Sequence, residues 1–335
     1  MTWTGESIRL LDQTALDQTA PPDPLAAVEL RRVDDLVAAI RRGAVGDGPA
    51  LGIAGAYGVA LAVVQAGHEG WDGSAFTAAV GRLRAARATA TALGQGVDAA
   101  YARLDDGLAA VVSVGNELAD ADERTYRAIG RHGADWILAR LGDRELRVLT
   151  RPGTGAGATG AWDTALGVIR ELHARDRVEL VQVDETRPLL RGSRLTAWEL
   201  ARIGIDYRVE VDGAAAGAIV GGLVDVAIVG ADRIAAGGDV ATAVGTLGVA
   251  LACAHAGVPF VVAASASTVD EELPSGAAIP IEQRADDEVL VVGGRRVAPP
   301  RARAYNPSFD IVPASLVDAL ITDLGPRLPV MPFAR

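Results

Sequence analysis

Hydrophobic residues recur at helical spacing through Val33–Arg42, Ala50–Gln65, Ser74–Ala90, Gly94–Leu108 and Val114–Arg140, with few strand signals between them. The pattern changes near Gly142-Asp143. From there short apolar runs alternate with helical stretches. The runs are Arg147–Thr150, Val178–Val183, Tyr207–Val211, Val224–Val229, Val258–Ala264 and Val289–Val292. The helical stretches are Gly157–Arg175, Gly192–Ile203, Ala214–Gly222, Ala241–Gly257 and Ala314–Leu324. Strands joined by crossover helices predict a doubly wound, largely parallel sheet, because parallel neighbours need a long connection. The expected organisation is an α-rich N-terminal domain over 1–142 and an α/β domain over 143–335. Residues 1–28 read as extended chain or short strands closed by Pro21-Pro22-Asp23-Pro24, and Pro326–Arg335 reads as a surface tail.

Composition narrows the class. Half of the 335 residues are apolar and only 4% aromatic, with Ala, Gly and Val dominant, which suits close helix–sheet packing. A net charge of −11 argues against a nucleic-acid or anionic-membrane surface. Every basic residue is Arg, so neither a Schiff-base Lys nor a Lys general base exists here. The single Cys253 lies in an apolar helical stretch and reads as a packing residue. One Cys allows no disulfide framework and no zinc cluster, which fits a cytoplasmic protein. Met1–Gln13 has no basic start or apolar block, so no signal peptide is expected there. The run Ala50–Val64 reads as too short and too Gly-rich to span a bilayer.

Four segments carry candidate chemistry. The run Val224–Val229 ends in Gly230, and Asp232 follows at the carboxyl end of a buried strand, where ligands bind in open sheets. The turn Gly237-Gly238-Asp239 allows close backbone approach and is expected to open a helix. The same layout serves a capped αβ turn equally well. After Val148-Leu149-Thr150, the stretch Arg151–Gly160 places Gly153, Thr154 and Gly155 ahead of a helix, an anion cradle or simply a tight packing turn. It is neither a Walker loop nor a dinucleotide fingerprint, and no cofactor or metal is expected. The loop Asp184–Arg194 offers Arg187, Arg191 and Arg194 for phosphate or carboxylate, or an ion-paired loop that positions a helix. Asn306-Pro307-Ser308-Phe309-Asp310 suits a turn and cap.

Taken together these blocks resemble the methylthioribose-1-phosphate isomerase family, whose relatives include ribose-1,5-bisphosphate isomerases and regulatory subunits of a translation-initiation exchange factor. The likeness runs through Leu10–Thr14, Pro49–Ala60, Ala128–Ala134, Glu185–Leu200, Gly230–Asp239 and Asn306–Asp310. It implies a helical N-terminal domain, a Rossmann-like C-terminal domain, a homodimer, and a small sugar or sugar phosphate as ligand. It also implies a catalytic acid/base at Asp232 and ligand contacts from Arg87, Asp239, Thr242 and the Gly153–Gly157 cradle.

The departures from that family are specific. Pro152 stands where the resemblance places a catalytic Cys, and Arg151 where it places a His. Val45-Gly46-Asp47 replaces a segment with a phosphate-contacting Arg, and Thr242-Ala243 replaces an Asn-Lys pair. Arg191 stands at a position usually held by Gln. Arg87 survives within an altered Arg87–Ala92 block, and Asp212 survives while Gly213-Ala214-Ala215 follows it. The expectation is an anionic ligand held differently, with Arg151 and Arg191 partly replacing the lost cations.

Overall fold

The computed structural model describes residues 1–12, 27–45, 48–87, 90–151 and 164–327, and its two units divide between Arg124 and Thr125, inside one helix. In the first unit, β1 (Thr2–Trp3), β2 (Ile8–Leu11) and β3 (Ala27–Leu30) form an antiparallel sheet. Strand β2 alternates, burying Ile8 and Leu10 and exposing Arg9. Helix α1 (Val33–Arg41) buries Val33, Leu36, Val37 and Ile40, a single stripe at helical spacing. Helix α2 (Pro49–Glu69) starts with Pro at its first turn and is buried almost all round.

By length and composition α2 would reach across a bilayer, longer than the sequence run suggests, yet 78% of its apolar stretch is buried inside this unit. It is the core helix. Helices α3 (Gly73–Arg84) and α4 (Thr91–Tyr101) pack on it, and a Cβ at Gly96 would lie 2.0 Å from the Gly52 carbonyl oxygen. Only glycine lets those two backbones approach so closely. Helix α5 (Leu108–Leu141) gives its first half to this unit and its second half to the next.

The second unit is built on a seven-stranded sheet. Its strands are β4 (Leu146–Arg151), β5 (Val178–Asp184), β6 (Tyr207–Glu210), β7 (Val226–Gly230), β10 (Phe260–Ala263), β15 (Ala319–Thr322) and β16 (Gly325–Arg327). The spatial order is β16-β15-β10-β7-β4-β5-β6, and all pairs are parallel except β15–β16. Order reverses between β4 and β7, so that is the switch point of a doubly wound sheet. One face packs Val148, Val181, Ile228 and Ile321 against α6 (Thr164–Ala174) and the second half of α5. The other packs Leu149, Val229, Phe260 and Val262 against α8 (Ala215–Val220) and α9 (Thr246–Ala256). Helix α7 (Ala197–Ile203) continues from a turn of π-helix at Gly192–Thr196.

A smaller mixed sheet, in the order β11-β8-β9-β14, joins β8 (Arg233–Ala235), β9 (Val240–Thr242), β11 (Val269–Asp270) and β14 (Asp310–Val312). The turn Gly237-Gly238-Asp239 therefore closes the β8–β9 hairpin and does not open a helix; Gly238 sits at φ +88° as that turn requires. The stretch Ala241–Gly257 divides into β9 and α9, broken at Gly245 with φ +97°. Val289–Val292 is likewise split, between α10 (Asp286–Leu290) and a small hairpin of β12 (Val291–Val292) and β13 (Arg295–Arg296). Ala314–Leu324 is not a helix: a single 3-10 turn leads into β15, whose four residues are all buried. An apolar run that short has no period to separate strand from helix.

The start of β4 is fixed by one carboxylate. Asp225 accepts hydrogen bonds from the Arg147 backbone N–H (2.8 Å), Arg147 Nε (3.0 Å) and Nη2 (2.9 Å), and Arg144 Nη2 (3.0 Å). Burial works against the charge of Asp225, but these hydrogen bonds outweigh it and hold the group well below the usual carboxylate range. A depressed carboxylate stabilises the fold above its unfolded value and loses that contribution as the pH falls. Asp225→Asn should therefore cost about 2 kcal/mol near neutrality. Paired thermal melts should show the gap to wild type closing in acid.

Candidate functional site

The switch point places the ends of β4 and β7 side by side. Val229 pairs with Arg151 across the two strands, and Asp232 follows β7 by two residues. Asp232 is half-buried, one of its carboxylate oxygens lies fully inside the protein, and its backbone N–H donates to the Ala241 carbonyl at 2.9 Å. Thr242 is buried and donates its hydroxyl to the Gly230 carbonyl at 2.9 Å, so it ties β9 to the end of β7. Asp239 accepts from the Gly276 N–H at 2.8 Å and the Ala314 N–H at 2.9 Å, pinning two further loops to the hairpin turn.

Arg151 ends β4 with its side chain inside the protein, only 2% exposed. Its Nη1 donates to Asp184 and lies 3.3 Å from Asp212, its Nη2 donates to the Val244 carbonyl at 2.6 Å, and its Nε is buried with no hydrogen-bond partner among the described residues. Asp184 and Glu210 face each other in register at the ends of β5 and β6. Arg151, Asp184 and Glu210 thus form one charged row across three adjacent strand ends. Sequence reasoning did not single out Glu210 or Val244; an acid inside the short apolar run Tyr207–Val211 was the available signal for Glu210.

Burial pushes the Asp184 carboxyl up to about 7, against the pull of Arg151 and with the charge of Glu210 adding to the rise. Burial also raises Glu210. A carboxyl raised on folding gives stability that is present at low pH and is lost as the pH rises through its folded value. Asp184→Asn fixes the neutral form. It should melt like wild type near pH 3, below the carboxyl's ordinary value, and pull progressively above wild type as the pH rises towards 8, a comparison that paired melting curves make directly.

Beside this row lies a pocket. One wall is the loop of Thr186, Arg187 and Arg191, and the other is Ala243-Val244, with Arg284, Asn306 and Ser308 completing the rim. The loop Asp184–Arg194 and the block Asn306–Asp310, far apart in sequence, therefore meet here. Thr186 and Leu190 are held at φ +60° and +55°, a left-handed conformation that is costly for side-chain-bearing residues. Asp212 holds that loop by accepting from the Thr186 N–H at 2.9 Å and the Arg187 N–H at 2.6 Å. The Arg187 guanidinium donates to the carbonyls of Pro188 (3.3 Å) and Val289 (3.0 Å) and has no carboxylate partner among the described residues. Arg284 is engaged by Glu288, and Arg194 belongs to the π-helical turn.

Arg87 is half-buried in the turn after α3 of the first unit. Asp47, Pro152, Gly153, Thr154 and Gly155 lie outside the described residues. Cys253 is fully buried on α9 and its thiol is pushed up to about 12 by burial, with the charge of Asp318 adding to the rise.

The model of the initiation factor 2 subunit family matches residues 46–329. The chain belongs to that family. Relatives within the family include a methylthioribose-1-phosphate isomerase of Gloeobacter violaceus, 43% identical over 98% of this chain and 92% of the relative. A probable bifunctional methylthioribose-1-phosphate isomerase/methylthioribulose-1-phosphate dehydratase of Nocardia farcinica is 44% identical over 97% of this chain, which spans 58% of that longer protein. Among solved structures, the 5-methylthioribose 1-phosphate isomerase of Pyrococcus horikoshii superposes with a TM-score of 0.86 at 32% identity, covering 98% of this chain and 92% of the other. A family member from A. fulgidus described as translation initiation factor eIF-2B, subunit delta, superposes equally well, at 35% identity over 98% and 95% of the two chains. The family fold thus carries sugar-phosphate isomerases as well as a protein named for translation.

Proposed function

We propose that this protein is a sugar-phosphate-handling enzyme of the isomerase branch, acting on a pentose or nucleoside-derived sugar, with Asp232 as its acid/base. The observation that carries this reading is the address of Asp232: a partly buried carboxylate at the end of β7, at the switch point of the sheet. The neighbouring pocket supplies guanidinium groups at Arg187 and Arg191, suited to an anionic end of the ligand. Near 43% identity to isomerases over almost the whole chain supports the substrate class.

The family reaction, as the sequence resemblance describes it, uses a Cys and an Asp to move hydrogen between C1 and C2 of the sugar. Here Pro152 offers no ionisable group, and Cys253, buried behind the sheet with a raised thiol, is no substitute. Asp232 would then exchange protons alone, or with a water or a substrate hydroxyl as its partner. Pro152 also favours a second reading, a non-catalytic member that binds a ligand without turning it over.

Proton NMR of the protein with 5-methylthioribose 1-phosphate in deuterated water separates these. Appearance of the ketose, lost in Asp232→Asn, supports isomerisation without the thiol. An unchanged spectrum rejects that substrate, and ligand-dependent melting shifts without chemistry would favour the binding member.

A further inference from the structure

Arg151 touches both sides of the pocket through the protein interior. Its Nη2 holds the Val244 carbonyl, and Val244 lines one wall. Its Nη1 reaches Asp212, whose two carboxylate oxygens hold the N–H groups of Thr186 and Arg187 on the opposite wall. The residue after Val244, Gly245, opens α9, and a Cβ there would lie 2.6 Å from the Arg151 guanidinium, so the chain passes directly over it. Asp310 fixes the same point from outside by accepting from the N–H groups of Gly245 and Leu247. We propose that Arg151 is a positioning residue, a buried fork that couples the Thr186–Arg187 wall to the Val244–Gly245 wall so that the two hold or loosen together.

The charges facing the fork are Asp184 from β5, Glu210 from β6 and Asp212 from the turn beyond β6. With its positive charge shared among these acids, Arg151 shapes the pocket from behind, and contact with an anion falls to the arginines of the loop. The planar guanidinium meets the acids with Nη1 and the Val244 carbonyl with Nη2, two nitrogens in a fixed plane; an ammonium gathers its three donors on one atom and does not reproduce that fork. The inference therefore separates the charge of residue 151 from its geometry. It concerns the two walls themselves and stands whether or not the ligand is a sugar phosphate.

Hydrogen exchange on the full chain without ligand tests it. Reporters are the amides of Thr186 and Arg187 on one wall and of Gly245, Thr246 and Leu247 on the other, with β15 as the remote control. Arg151→Lys keeps the cation and should keep overall melting, yet exchange at both sets of amides should rise at least tenfold together while β15 is unchanged. Asp212→Asn, at a residue whose hydrogen bonds go to the Thr186–Arg187 wall, should also speed exchange at Gly245–Leu247. Because Arg151→Met strands buried acids, it is paired with Asp184→Asn, and the double variant should reproduce the joint loosening. Protection retained on both walls in Arg151→Lys, or loosening confined to one wall in any of these variants, would overturn the coupling.

Discussion

Replacing Asp232 by Asn should lower turnover of a sugar-phosphate substrate by two to four decades, roughly 10²–10⁴-fold, while leaving its affinity within a few-fold of wild type. On the proposed chemistry the loss is on the order of 3–5 kcal/mol of transition-state stabilisation. The fold should survive, because the hydrogen bond from the backbone N–H of residue 232 to the Ala241 carbonyl is untouched by the substitution and Asn keeps the side chain's size. Asp239→Asn offers the contrast. Its two oxygens accept from the Gly276 and Ala314 N–H groups, and an amide can accept through only one of its ends. That variant should lose stability first and activity only as a consequence. Steady-state kinetics beside thermal melts for both variants separates a chemical role from a structural one. Full turnover in Asp232→Asn would remove it from the chemistry.

The position of Asp232 was legible in sequence because a continuous apolar run closed by Gly230 predicts a buried parallel strand and leaves the next acid at its carboxyl end. Arg151 was harder. Read as the first residue of a Gly-rich turn, it faces a ligand; in the structure β4 runs one residue further than the apolar pattern, through Arg151 itself. Strand alternation then puts it on the same face as Leu149, under α8 and α9, where acids from the next two strands meet it. Glu210 could not be assigned a partner at all, since its pairing with Asp184 depends on the register of β5 against β6. The hairpin at Gly237-Gly238 and the strand Ala319–Thr322 were missed for a related reason: runs of three or four residues carry turn and burial signals but no period.

The tightest steric constraint in the site should show in Gly192→Ala. A Cβ on Gly192 would lie 1.7 Å from the Asp184 carbonyl oxygen and 2.8 Å from its carbon, and both are backbone atoms that no rotamer change can move aside. The same carbonyl accepts the Thr186 hydroxyl at 3.0 Å, and the Gly192 N–H donates to the Glu185 carbonyl at 3.2 Å. Making room therefore displaces the end of β5, the charged row that contains Asp184, and the pocket loop together. Ordinary overpacking costs about 1–3 kcal/mol; a clash against backbone should reach at least ~3 kcal/mol. Gly217→Ala is the internal control. Gly217 lies within α8 with open space where its Cβ would point, so the substitution should add about 0.5–1 kcal/mol. Denaturant unfolding of the two variants should move in opposite directions. Equal stabilities would mean that the π-helical turn does not rest on the end of β5, and the pocket loop would then owe its shape to Asp212 and the Arg151 fork alone.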